Sequence, residues 1–408
     1  MRAAEEQARS PQGMLRRKHE RVIFRSISRR NAISRVQLSE QTGLSGQSVG
    51  RVARDLLADG LIEETDIARS SGPGAPPVGL RVRPDGAYAF GFGLERDCLT
   101  AVALDLGGNV RWRNATALPR AETATKTLRR IAGEVRGLLE ISEWKGRRDR
   151  LCGIGLAAPG PIDLATGTIV RPPNFPGWEH VDAAEELRRM LDLPVVIDNE
   201  STAAAIGVEW RMPRGHGPFL YCYWGLGIGG GLVFDDDVYR GTTGNAIEIG
   251  HVIVDPAGHP CDCGSRGCLE AEASATALLR DAAAHGRFTT LREVVAAART
   301  DPAVAALLTS AAEKLATALV SVLNIVDVND VVLGGEHFHE VQEVFLPVIR
   351  GRIERCAFRR SIAATQVSVT GLGETANAIG AAALVFFSLL PRAARRGAAG
   401  GRPAMHGS

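Results

Sequence analysis

Four residues within one short stretch, His251, Cys261, Cys263 and Cys268, constrain this chain more than any other feature of it. Their intervals are ten, two and five, and Gly264 and Gly267 between the last two cysteines permit a tight turn. Three thiolates and an imidazole are a natural tetrahedral set for structural zinc. Four protein ligands leave no position for water, so such a zinc holds a fold together and does not hydrolyse a substrate. His259 competes as a ligand, but it stands only two residues before Cys261, too close to serve alongside it. A redox-active thiol cluster is the other reading. Cys98, Cys152, Cys222 and Cys356 are scattered in apolar surroundings and read as packing. Seven cysteines, an odd number, argue against a pure disulfide framework.

A chain of 408 residues implies two to three domains. Its 45% hydrophobic and 23% charged content are ordinary for a soluble globular protein. No early segment has the pattern of a secretory signal. The apolar stretch Ala378–Leu390 is too short to span a bilayer, so the cytoplasm is the expected location. The net charge of +2 hides an asymmetry: residues 1–60 hold twelve basic and six acidic residues, about +6, which leaves the rest at about −4. A basic head on a mildly acidic body suits a nucleic-acid-binding module, although a solvated basic tail gives the same count.

The head has a helical texture. Val22, Ile23 and Ile27 recur at helical spacing between Arg17 and Arg29, and a second helix runs through Arg35–Thr42. Gly43 stops it, Leu44 tucks into the turn, and Ser45 caps a third helix over Gly46–Ala58. Val49, Val52, Ala53, Leu56 and Leu57 form its buried stripe, which places Ser45, Gln47, Ser48 and Arg51 at the exposed amino-terminal end. Arg and Gln there can pair bidentately with base edges in a major groove. A plain three-helix subdomain has the same stripe. The Gly43-Leu44-Ser45 turn and the ending Leu56–Ile62 favour DNA binding. Gly50 inside the third helix costs about 1 kcal/mol relative to Ala, a cost the pattern alone does not explain.

Beyond a Ser/Gly/Pro stretch at Ser70–Pro77, read as a wing tip or linker, the texture changes. Strand-like runs at Tyr88–Leu94, Leu99–Leu104, Cys152–Leu156, Val195–Asp198, Phe219–Trp224 and Val331–Leu333 alternate with helical stretches, which suggests an α/β body. Two Gly-rich strand-turn regions suggest an old duplication. After Pro391 the sequence has almost nothing to bury and reads as disordered.

Glu248-Ile-Gly-His251 followed by Cys261-Asp-Cys-Gly-Ser-Arg-Gly-Cys-Leu-Glu270 resembles the signature of the ROK family (repressors, open reading frames, kinases). Gly225–Gly231, Ala157–Pro161 and Pro173-Asn174 are similar to that family too, and the resemblance extends from about Gln12 to Leu390. It implies a two-lobed actin/hexokinase-like (ribonuclease H-like) body behind a winged helix-turn-helix. The implied division is a flexible basic segment over 1–15, the DNA-binding domain over 16–84, the body over 85–390 and a disordered tail over 391–408. In the body the small lobe takes about 85–198 plus 376–390, and the large lobe about 199–375. Residue by residue, the resemblance implies sugar contacts at Asn174, Asn199, Glu248, His251 and Glu270, with Glu200 at the catalytic-base position. Carboxylates, amides and an imidazole suit the hydroxyls of a pyranose. His251 would serve both zinc and sugar.

The kinase side of the resemblance is damaged. Where kinases of this fold hold phosphates with Asp-x-Gly-Gly-Thr, this chain has Gly93-Leu94-Glu95-Arg96-Asp97. Backbone amides approach phosphate closely only where glycines allow the turn. Asp105-Leu-Gly-Gly-Asn109 imitates the motif one strand later and reads as a hairpin turn. Asp198-Asn-Glu-Ser201 replaces Glu-Asn-Asp-Ala, moving the base carboxylate by about an ångström, which can cost roughly 10²-fold in rate. The expectation is therefore a non-enzymatic, homodimeric, zinc-containing repressor that binds operator DNA and responds to a sugar. Two rivals remain. One is an ATP-dependent sugar kinase fused to a DNA-binding domain, which a phosphorylation assay across sugars distinguishes. The other is a sugar-binding scaffold without DNA binding, favoured by the lack of arginine in the wing at Ser71–Pro77, with Arg69 and Arg81 as substitutes.

Overall fold

The computed structural model describes residues 11–66, 78–119, 122–141, 143–172, 175–212, 217–234 and 237–400. Helix α1 (Pro11–Ser28) begins ahead of the expected domain start at 16, and it buries Ile23, Phe24 and Ile27 while Val22 is only half-buried. Strand β1 (Ile33–Ser34) leads into α2 (Arg35–Thr42), whose start is fixed by a reciprocal cap. The Gln37 N–H donates to Ser34 Oγ at 3.2 Å, and the Ser34 N–H donates to Gln37 Oε1 at 3.0 Å. Gly43 ends this helix at φ 67°, a left-handed conformation that a Cβ disfavours. Ser45 accepts the Ser48 N–H at 3.3 Å and so caps α3 (Gly46–Ala58). Val49, Val52, Ala53 and Leu56 are buried, with Leu44 and Leu57 at the margin.

Strands β2 (Ile62–Asp66) and β3 (Val78–Val82) pair antiparallel with Ile62 opposite Val82, and β1 lies on the other edge of β3. Three helices and this small sheet make a winged helix-turn-helix. The tip Ser70–Pro77 and Arg69 lie outside the described residues; Arg81 is engaged by Glu63, Nε to Oε1 at 2.6 Å. A methyl group added at Gly50 would meet nothing within 4 Å in the chain. Gly50→Ala is therefore expected to stabilise by about 0.5–1 kcal/mol through helix propensity. Chemical denaturation of the two proteins checks this, and a loss of stability would expose a hidden contact.

The body repeats one sheet plan twice. In the first lobe β4 (Tyr88–Leu94), β5 (Cys98–Asp105) and β6 (Val110–Ala117) form an antiparallel meander, followed by α4 (Ala124–Glu140). Strand β7 (Leu151–Ala158), the short hairpin of β8 (Ile162–Asp163) and β9 (Thr168–Ile169), α5 (Ala183–Leu191) and β10 (Val195–Asn199) follow. β7 and β10 add parallel to β4, giving the order β10-β7-β4-β5-β6. Helix α6 (Glu200–Arg211) crosses to the second lobe. There β11 (Phe219–Trp224), β12 (Ile228–Phe234) and β13 (Asp237–Val238) form the second meander. Helices α7 (Leu269–Ala273), α8 (Ala275–Ala282), α9 (Leu291–Ala297) and α10 (Pro302–Val326) precede β14 (Asp330–Gly334). Helix α11 (Phe338–Cys356) and β15 (Gln366–Val369) complete the order β13-β12-β11-β14-β15. The matching strand orders give the suspected duplication a structural form. Among the described residues, α10 is the helix long and apolar enough to cross a membrane; here Val304, Leu308, Leu315, Leu319 and Leu323 are buried in the core of the second lobe.

Helix α12 (Ala376–Gly400) returns to the first lobe and packs on β4 and β7. It crosses α6 at backbone contact: a Cβ on Gly207 would lie 2.3 Å from the Ala376 carbonyl oxygen, and one on Gly380 would lie 1.6 Å from that of Ala203. α12 remains helical through Pro391 to Gly400, where the sequence reading ends order at 391. The alanines and arginines of this end favour helix and extend an existing one without a new nucleus, against the cost of Pro391 and Gly397. Residues 401–408 lie outside the described residues.

Head and body meet along a continuous apolar seam in which Phe24 and Leu61 join Phe386 and Phe387 of α12. The Trp210 ring lies 5.0 Å from that of Phe387, and the Arg25 guanidinium sits 4.3 Å above the same ring. Arg25 also reaches Asp237 at 3.3 Å, and Arg29 pairs with Glu209 of α6.

Candidate functional site

The turn from β10 into α6 sets the floor of the site. Asn199 caps α6 by accepting the N–H groups of Ser201 at 2.9 Å and Thr202 at 3.2 Å, which leaves its Nδ2 beside Gly160. Glu200 follows as the first helical residue. Burial, reinforced by the carboxylates of Glu270, Glu248 and Glu336, pushes its carboxyl up to about 8. Below that pH Glu200 holds its proton and can donate a hydrogen bond.

Glu248 stands just before a single 3₁₀ turn, Ile249–His251. Burial raises its carboxyl, His251 opposes the shift and Glu270 adds to it. Glu270 in α7 is held by the Ile228 N–H, which donates to Oε2 at 2.9 Å. Glu200, Glu248, Glu270 and Asn199 therefore converge from three separate chain segments. Asn174 lies outside the described residues.

Sequence reasoning missed the supports of this site. Asn245 ties the loop carrying Glu248 to β8, accepting the Ile162 N–H at 2.9 Å and donating to the Ile162 carbonyl at 3.1 Å. Arg240 anchors the same loop by a 2.5 Å bond to the buried Asp198. Ile247, next to Glu248, sits at φ 65°, a strained conformation for a β-branched residue.

The His/Cys cluster closes around one point. His251 Nδ1 lies 3.6 Å from Cys261 Sγ, Cys263 Sγ lies 3.6 Å from Cys268 Sγ, and all four ligand atoms are within 4.8 Å of one another. Zinc–sulfur bonds of about 2.3 Å in a tetrahedron set sulfurs about 3.7 Å apart, so the donor set fits a metal of that kind. His259 is engaged elsewhere: its Nδ1 lies 3.0 Å from Glu272 Oε1, whose carboxylate also binds Lys314. His251 presents Nδ1 to the cysteine side.

The turn between β4 and β5 is where the sequence departs from the kinase phosphate motif. Glu95 is buried and accepts Asn377 Nδ2 at 2.8 Å, while its N–H closes a tight turn on the Cys98 carbonyl at 2.9 Å. Burial raises its carboxyl well above the usual range, and Glu336 and then Glu200 add to the shift. Asp105–Asn109 is the β5–β6 hairpin turn, closed by the Asn109 N–H donating to Asp105 Oδ1 at 2.9 Å. In the head, Ser45, Gln47 and Arg51 are exposed and Ser48 half-exposed, all at the amino-terminal end of α3.

Known proteins resemble this chain over both head and body. The xylose repressor of Caldicellulosiruptor bescii is 27% identical over 395 residues, 92% of this chain and 97% of the repressor. The glucokinase of Thermotoga maritima is 41% identical over 154 residues, 38% of this chain and 46% of the kinase. Among solved structures, a ROK family transcriptional regulator, homologous to the Escherichia coli Mlc protein, superposes with a TM-score of 0.78 at 22% identity. That match covers 93% of this chain and 99% of the regulator, and it shows the fold. The sequence profile of the ROK family matches residues 99–386, well over half of the chain, and the protein belongs to that family.

Proposed function

We propose that this protein is a sugar-responsive DNA-binding transcriptional repressor with a structural zinc. One observation carries the reading: a helix-turn-helix with Gln47 and Arg51 exposed on α3 is packed directly on a body that gathers Asn199, Glu200, Glu248, His251 and Glu270. The relative aligned over nearly its whole length bears the name of a xylose repressor, which supports this reading above that of a kinase. The head spans about 16–84 and the body about 85–390. Asn174, Asn199, Glu200, Glu248, His251 and Glu270 meet the sugar hydroxyls. His251, Cys261, Cys263 and Cys268 hold the zinc, which when bound supplies a fixed cross-link and orients the His251 ring. Ser45, Gln47, Ser48 and Arg51 face the operator, and a homodimer presents two such helices to an inverted repeat. A DNA partner places the protein in the cytoplasm. The buried Glu95 argues against phosphoryl transfer, because it fills the first phosphate loop with a side chain and no glycine cradle.

The test is a gel-shift titration of genomic fragments from sugar-utilisation regions, with and without a panel of sugars. Gln47→Ala and Arg51→Ala are each expected to weaken binding to the selected fragment about 10- to 100-fold, as loss of a bidentate base contact does. Unchanged affinity in both variants, or affinity indifferent to every sugar, overturns the reading.

A further inference from the structure

A continuous polar connection runs from the carboxylate site to the helix that bears on the head. It starts at Glu270, whose Oε2 accepts the Ile228 N–H at 2.9 Å. The turn at residues 225–227 lies directly against that carboxylate, because a Cβ on Gly227 would stand 2.7 Å from Oε2. Glu336 holds the same turn, its Oε1 accepting the Leu226 N–H at 3.4 Å. Gly335 permits this approach: it sits at φ 116°, and a Cβ there would lie 2.2 Å from the Trp224 carbonyl oxygen.

From Glu336 the connection crosses to the first lobe. The carboxyls of Glu336 and Glu95 hydrogen-bond each other, and Glu95 stands on the turn between β4 and β5. Two carboxyls in contact share one proton, and Glu95, whose carboxyl is raised by burial, is the member that holds it. Glu95 Oε1 also accepts Asn377 Nδ2 at 2.8 Å, so one side chain bridges the second lobe and α12. Asn377 is itself buried against β4, where a Cβ on Gly93 would lie 2.3 Å from its Oδ1. It is the second residue of α12, and Phe386 and Phe387 lie about 15 Å further along the same helix. Those two rings meet Phe24 and Leu61 of the head. A buried carboxyl costs stability, and an apolar side chain would fill the turn without that penalty. What Glu95 does that an apolar residue does not is join Glu336 to Asn377.

We propose that Glu95 is the positioning residue through which sugar binding at the carboxylate site acts on the DNA-binding head. Sugar on Glu270 shifts the turn at 225–227 and with it Glu336; the contact of Glu336 with Glu95 changes, and Asn377 passes the change along α12 to the seam. The inference rests on the repressor reading and adds to it the route by which the two sites are coupled.

Measuring coupling apart from binding tests this on the full-length protein. Calorimetry gives the affinity for a panel of pentoses, hexoses and amino sugars, D-xylose, D-glucose and N-acetyl-D-glucosamine among them. Gel shift gives operator affinity with and without the sugar that changes it most. In the parent chain that change is expected to be about 5- to 150-fold, the usual range of coupling between sites. Glu95→Met fills the same space without polar atoms; it should bind sugar and operator each within about threefold of the parent, yet lose the sugar-dependent change. Asn377→Leu cuts the connection at its other end and should lose the change too, which keeps the test decisive where one variant fails to fold. Glu95→Gln keeps an acceptor for Asn377 and a neutral donor for Glu336, and should retain the change. A sugar response that survives in Glu95→Met or in Asn377→Leu, or that Glu95→Gln abolishes, overturns the proposal and leaves the repressor reading intact. Loss of sugar or operator affinity itself in a folded Glu95→Met also overturns it, because Glu95 then belongs to a binding site. A parent chain whose operator affinity ignores every sugar is the separate failure of the repressor reading itself.

Discussion

Cys268→Ser should purify without stoichiometric zinc and melt roughly 10 °C below the parent chain. Cys268 is the fully buried member of the cluster, with its Sγ 3.6 Å from that of Cys263, and a serine hydroxyl does not replace a thiolate on zinc. Structural zinc contributes about 10–16 kcal/mol in small peptides. A site embedded in a folded lobe returns less, on the order of 5 kcal/mol, because the surrounding core persists without it. The damage should also reach the ligand site. Cys268 is the residue from which α7 starts, and Glu270 lies on the first turn of that helix. Metal analysis, thermal denaturation and sugar calorimetry check the three parts. A variant that loses zinc yet keeps its melting temperature and its sugar affinity would show that the cluster is incidental to the fold.

The second large effect is a pH dependence centred on Glu200. Its carboxyl lies at about 8 in the folded chain and near 4.5 when unfolded. Between those values the folded state holds one proton more than the unfolded state, so stability falls as pH rises. The slope approaches about 1.4 kcal/mol per pH unit, and several kcal/mol are lost between pH 5 and 8. Glu200→Gln removes the titrating group while keeping a neutral hydrogen-bonding side chain of nearly the same shape. It should flatten the decline and leave the variant a few kcal/mol more stable than the parent at pH 9. It also relieves Glu248, Glu270 and Glu336 of a neighbouring charge. Urea unfolding at pH 5, 7 and 9 measures this directly, and parallel curves for the two proteins would refute the assignment.

Elements with strong local patterns were legible in the sequence. The helix-turn-helix of the head shows the Gly43 stop of its second helix and the Ser45 cap and buried stripe of its third in plain order, and the structure has all three. Strands buried on both faces, such as Tyr88–Leu94 and Phe219–Trp224, appear as continuous apolar runs. β6 and β12 did not show themselves, for opposite reasons. β6 is an edge strand with exposed or half-exposed residues throughout, so it lacks an apolar face. β12 contains Gly229, Gly230 and Gly231, poor strand formers, because a Cβ on Gly229 or Gly231 would collide with Ser201 or Ala205 of α6. Phe24 escaped notice because its partners, Phe386 and Phe387, stand more than three hundred residues away. The supports of the site were hidden for the same reason: Arg240 on Asp198 and Asn245 on Ile162 are long-range pairs without a sequence signature. The group His251, Cys261, Cys263 and Cys268 was readable because its members lie close together in the chain, and the structure brings their ligand atoms within 4.8 Å of one another.

The seam between head and body has a consequence for how such proteins diversify. Phe24, Arg25 and Arg29 on one side answer Phe387, Asp237 and Glu209 on the other. A head transplanted from a relative would bring its own DNA preference but a mismatched joint, with an apolar face uncovered and acids left without cations. New operator specificity is therefore reached more readily by point changes on the exposed side of α3 than by recombination at the domain border. Chimeras of this chain should need Phe24, Arg25 and Arg29 grafted together with the foreign recognition helix before they respond to sugar.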